Sequence, residues 1–145
     1  MSCDFNIEDS ALKQVSDWLQ DCVSSQGFLS MIGFDNFDNL PKLCYEWNSF
    51  LLISIIKKYG LGFRLVSPAI KDRRYNKEII VSKDSKFYHL DDIVYALLMN
   101  NSINFIDESN LLSFLVINHL VSKVIPKELF DSKILNYADG YFKIA

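Results

Sequence analysis

The sequence predicts an α+β fold, a small antiparallel sheet with about four main helices, in a single domain spanning residues 1–145. Three observations predict it. Apolar residues recur at spacings of three and four over residues 9–22, 43–59, 91–99 and 108–123, the helical period. Short β-branched or aromatic runs stand at residues 63–66, 78–81 and 87–89. Asp139-Gly140 separates two further strand-like runs, 134–138 and 141–144, the signature of a tight hairpin. A chain of this length buries about 68–70% of its unfolded surface, enough to fold without a metal or a disulfide.

The first helix carries Leu12, Val15, Leu19 and Cys22 on one face and Asp17 and Asp21 among its outward positions. Residues 28–42 read as a loop so rich in Phe, Leu and Ile that it must tuck back onto the core. The main helix is entered through Pro41, which suits an early helical position, and is apolar over most of its girth, which marks a buried helix. Lys57 and Lys58 complement its dipole, and Gly60 suits its left-handed stop. If that helix is central, Trp47→Ala costs about 3–5 kcal/mol.

Phe63-Arg64-Leu65-Val66 opens the strands. Glu78-Ile79-Ile80-Val81 and Phe87-Tyr88-His89 are separated by a turn-sized gap and are expected to pair as a hairpin. Leu90, Ile93, Val94, Leu97 and Leu98 then make a helical face, with Asp91 and Asp92 near the cap. The next helix is expected to run on to Lys123, stopping before Pro126.

Charge is the most informative compositional feature. The chain carries −3 overall, but residues 1–56 hold two bases and eight acids, residues 57–86 nine bases and three acids, and residues 87–145 four bases and seven acids. A basic middle therefore lies between acidic ends. The three cysteines, Cys3, Cys22 and Cys44, match no metal clip or redox pair, and reduced thiols point to the cytoplasm. The beginning Met1-Ser2-Cys3-Asp4 lacks the pattern of a signal peptide, and the longest apolar runs fall short of a membrane span.

No constellation announces catalysis, and no cofactor or metal is expected. His89 and His119 have no assigned nucleophile, and a Cys–His pair also needs an orienting third group. The acid pairs Glu8-Asp9, Asp91-Asp92 and Asp107-Glu108 stand where helices start, where capping and the helix dipole explain them. Gly60-Leu61-Gly62 lies at the wrong end of a helix to cradle a phosphate. Asp35 and Asp38 flank Phe37 without a calcium-loop pattern, and remain as candidate partner contacts. The other candidates come from Lys71-Asp72-Arg73-Arg74-Tyr75-Asn76-Lys77. Here Lys71, Arg73, Arg74 and Lys77 suit phosphates or carboxylates and Tyr75 suits stacking, against the simpler reading of a solvated turn.

The succession of helix, helix and hairpin from residue 91 to residue 144 resembles that of winged-helix domains. That resemblance implies that the second helix reads DNA. Its body is Leu, Phe, Val and Ile, however, and it holds no arginine and one lysine, whereas non-specific DNA affinity comes from neutralising phosphates. The sequence pI of about 5.3 agrees.

A small acidic chain without catalytic residues fits a non-enzymatic protein-binding module. The leading expectation is an inhibitor or immunity-type protein that neutralises a partner such as a bacterial toxin or basic nuclease domain, steered by opposite charge. The alternative is a nucleic-acid-associated regulatory protein with a winged-helix-like C-terminal half. No membrane partner is expected.

Overall fold

The computed structural model describes residues 7–43, 45–68 and 76–144. Helix α1, Asp9–Ser24, turns Val15, Leu19 and Val23 inward. A two-residue strand β1, Leu29–Ser30, follows inside the segment expected to be loop. Helix α2 is Ser49–Tyr59, shorter than the sequence suggests, because Asn48 Oδ1 accepts the Leu51 amide at 2.9 Å and sets the N-terminus there. Pro41 and Trp47 therefore precede the helix. Its end is as expected: Gly60, at φ 76°, donates to the Ile56 carbonyl at 2.8 Å.

Strands β2, Phe63–Val66, and β3, Ile79–Ser82, pair antiparallel with Leu65 opposite Ile80. β3 also pairs with β1, giving a first sheet of order β1-β3-β2. The expected hairpin between residues 78–81 and 87–89 does not form, and residues 87–89 are not a strand. Arg64, on β2, captures that segment instead, donating to the Phe87 carbonyl at 2.6 Å and to the Ser85 carbonyl at 2.5 Å.

Helix α3, Leu90–Asn100, begins where Asp92 Oδ2 accepts the amides of Tyr88 and His89 at 2.9 and 3.0 Å. Strand β4, Phe105–Asp107, leads directly into helix α4, Glu108–Ile117. α4 ends six residues short of the expected Lys123. Asn118 caps it, His119 takes a left-handed φ of 60°, and the Leu120 amide reaches back to the Leu115 carbonyl at 2.9 Å. A short helix α5, Lys127–Phe130, precedes the hairpin of β5, Leu135–Ala138, and β6, Tyr141–Ile144. Asp139 and Gly140, at φ 54° and 82°, form its tight turn as expected. The second sheet has the order β4-β6-β5. The architecture is α+β, with five helices and two three-stranded antiparallel sheets among the described residues.

The first sheet is covered on both faces. Ile80 and Phe63 face α1 and α2, packing with Leu19, Leu52 and Ile56. Ile79, Val81, Val66 and Phe28 face the other way and join Leu90, Ile93, Leu111, Leu115 and Phe142. That is why Ile79, Ile80 and Val81 are all fully buried in a row, with no polar alternation. Among the described residues no helix is long and apolar enough to cross a membrane.

Candidate protein-binding surface

The outward positions of α1 and the segment after β1 enclose an open groove of about 630 Å³. Helical spacing brings Gln14, Asp17, Trp18 and Asp21 to one wall, since positions three and four apart share a face. Phe34, Asn36 and Asn39 form the other wall.

Aromatic stacking holds that second wall. Phe37 stacks between Trp18, at 6.2 Å, and Trp47, at 6.4 Å, while Phe34 meets the Trp18 ring edge-on at 5.8 Å. Trp47 anchors the column by donating its indole N–H to the Pro41 carbonyl at 2.7 Å. The dense aromatics of residues 28–42 thus fold back as expected and leave polar side chains at the rim. Cys22 also lines the groove; burial, and then the neighbouring Asp21 charge, push its thiol pKa up. The thiol therefore stays protonated and a poor nucleophile.

Asp35 and Asp38 are both exposed, yet they do not converge. The groove is lined by their neighbours Asn36 and Asn39. Asp35 instead borders a separate cavity of about 150 Å³ with Ser30, Asn118 and His119. That trio of Ser30, His119 and Asp35 is not arranged for nucleophilic catalysis. The Ser30 hydroxyl donates to the backbone carbonyl of His119 and accepts from the Ile32 amide, so its proton is not offered to the imidazole. His89 lies at a third concavity of about 290 Å³ with Asp91, Glu128, Asp131, Ser132 and Lys133. There Ser132 donates to Asp91 at 2.7 Å, tying α5 to the start of α3. Among the described residues no three His, Cys, Asp or Glu side chains are grouped to hold a metal ion.

Of the basic candidates, Lys71, Arg73, Arg74 and Tyr75 lie outside the described residues. Lys77 is half-buried just before β3. The contribution of Trp18 was missed from the sequence; the available signal was Asp17 and Asp21 outward on an amphipathic helix with a tryptophan between them. No protein-family model, no curated protein and no solved structure matches the chain.

Proposed function

We propose that the chain is a non-enzymatic protein-binding module of the inhibitor or immunity type, and that it receives a basic segment of its partner in the Trp18 groove. The observation that carries this reading is the composition of the groove among the described residues: two carboxylates, three side-chain amides, Trp18, Phe34 and the Cys22 thiol, with no cation. Carboxylates around a half-exposed tryptophan suit a lysine- or arginine-bearing partner. Charge steers the approach and the indole supplies apolar contact area. A toxin or nuclease domain, basic because its own ligand is a polyanion, is the partner class this favours. The setting is the cytoplasm, where Cys22 stays reduced.

The test is affinity capture from the native host with the wild-type chain and with an Asp17→Asn/Asp21→Asn variant of unchanged circular dichroism. A stoichiometric basic protein held by the wild type and lost from the variant is the expected result. Identical captures, or none, overturn the reading.

One observation favours the nucleic-acid alternative. The order helix, strand, helix, helix, hairpin, with the sheet order β4-β6-β5, supports the resemblance to winged-helix domains. Against it stands the excess of acids over bases in residues 87–145. Titration with a labelled duplex at low salt decides it, because non-specific affinity is greatest there. Tight, salt-sensitive binding would favour the alternative over the groove.

A further inference from the structure

Strand β5 is an edge of the second sheet, and the ladder beside it fixes which of its backbone groups stay open. On the β4 side, the Gly140 carbonyl accepts from the Glu108 amide at 3.2 Å and the Ile144 amide donates to the Asn104 carbonyl at 3.0 Å. Bonding alternates along an antiparallel strand, so Tyr141 and Lys143 bond to β5, where their partners are Ala138 and Asn136. The amides and carbonyls of Leu135 and Tyr137 therefore point away from the sheet. The Ser132 hydroxyl takes the Leu135 amide at 3.1 Å. The Leu135 carbonyl and both backbone groups of Tyr137 have no hydrogen bond among the described residues. Edge strands ordinarily carry a guard against pairing with another chain, such as a charge or a proline. β2 carries Arg64 and β4 carries Asp107, but residues 134–138 hold neither a charge nor a proline. The Tyr137 ring packs on those of Phe130 and Phe142, both at 4.8 Å, which fixes the shape of this open edge.

We propose that the β5 edge pairs with the same edge of a second copy of this chain, antiparallel about a two-fold axis at Asn136. What selects a second copy is that the edge complements itself in that one register. Leu135 comes opposite Tyr137 of the other copy, so each open Tyr137 amide meets an open Leu135 carbonyl. The exposed Lys133 before one strand comes beside the exposed Asp139 after the other, opposite in charge at both ends of the seam. At the axis the exposed Asn136 meets its own copy, and a side-chain amide is both donor and acceptor, so two identical residues satisfy each other there. A strand of another protein would match only if it carried the same order of acid, neutral run and base. With two backbone bonds and one short strand the interface is small, and the dimer is a weak one that forms at high concentration.

The pairing is tested on the full ¹⁵N-labelled chain by sedimentation equilibrium and amide shifts, from about 10 µM to about 1 mM, the range of a weak association. Self-association is expected, with concentration-dependent shifts at the amides of β5. Asn136→Asp and Asn136→Lys each set like charges face to face at the axis and should weaken association by about tenfold. An equimolar mixture of the two variants sets opposite charges there and should recover the wild-type level. Asp17→Asn/Asp21→Asn should leave association unchanged, which separates this edge from the Trp18 groove. A chain still monomeric at the highest concentration, association without shifts in β5, association indifferent to the charge at Asn136, or no recovery in the mixture would each overturn the proposal.

Discussion

The guanidinium carbon of Arg64 lies 4.4 Å over the centre of the Tyr88 ring. From that position its nitrogens reach the carbonyls of Lys83, Ser85 and Phe87, so one side chain holds the whole connection from β3 to α3. This is why Phe87-Tyr88-His89, despite its aromatic composition, is not a strand: the Phe87 carbonyl is taken by Arg64, the His89 carbonyl by the Asp92 amide at the start of α3, and the amides of Tyr88 and His89 by the Asp92 carboxylate. Arg64→Ala should cost about 2 kcal/mol, the scale of charge-assisted hydrogen bonds. Arg64→Lys should recover less than half of that, because an ammonium cannot fork between the carbonyls. Urea unfolding measures both, and faster hydrogen exchange confined to residues 83–89 would localise the loss.

Trp47 stabilises the fold from outside α2. Half-buried, it should lose about 2–3 kcal/mol on mutation to alanine, less than the 3–5 kcal/mol of a fully buried tryptophan. Trp47→Phe preserves the stack on Phe37 but loses the bond to the Pro41 carbonyl, and should cost about 1 kcal/mol. Equal losses in the two variants would show that the indole N–H, and not the ring stack, holds the segment.

Ile80 and Leu65 are cross-strand partners on the face toward α1 and α2, but Ile80 is fully buried and Leu65 only half. Ile80→Ala should destabilise by about 3–4 kcal/mol and Leu65→Ala by about 1–2 kcal/mol. Chemical denaturation with unchanged m-values is the check. A reversed order would mean that β2, rather than β3, occupies the centre of this sheet.

The Asp107 carboxylate accepts the side-chain N–H of Asn110 at 2.5 Å and its backbone N–H at 3.4 Å, and the side-chain bond is the main cause of a pKa below the ordinary 3.8. A carboxylate whose folded pKa lies below its unfolded one adds stability in its ionised form. That stability is complete above the unfolded value and is lost as pH falls through the folded one. A carboxyl-carbon NMR titration should place the Asp107 midpoint below 3.8, and Asn110→Ala should move it upward. An unshifted midpoint in both proteins would remove the side-chain bond from the account.

What was legible in the sequence followed from local periodicity and turn chemistry. The helical faces of residues 9–22 and 91–99, the Gly60 stop and the Asp139-Gly140 turn all rest on residues a few positions apart. What escaped depends on distant partners. β4 is a strand only because β6 pairs with it from more than thirty positions away. α4 stops at a left-handed histidine, where a reading by composition looks for glycine or proline. The Trp18 groove was half legible: Asp17 and Asp21 declared themselves outward, but the opposing wall exists only once Phe37 has stacked between two tryptophans.

The double covering of β3 has a consequence for how its register is chosen. In a sheet with one wet face, a slip of one residue throws apolar side chains into water and is punished at once. Here Ile79, Ile80 and Val81 would exchange one dry environment for another. The marks that distinguish the two sides are polar and belong to the flanking strands: Ser30 on β1, bonded to His119, and Arg64 on β2, bonded to the turn beyond β3. Both point to the side of α3 and α4. The most hydrophobic strand of the protein therefore takes its address from a hydroxyl and a guanidinium.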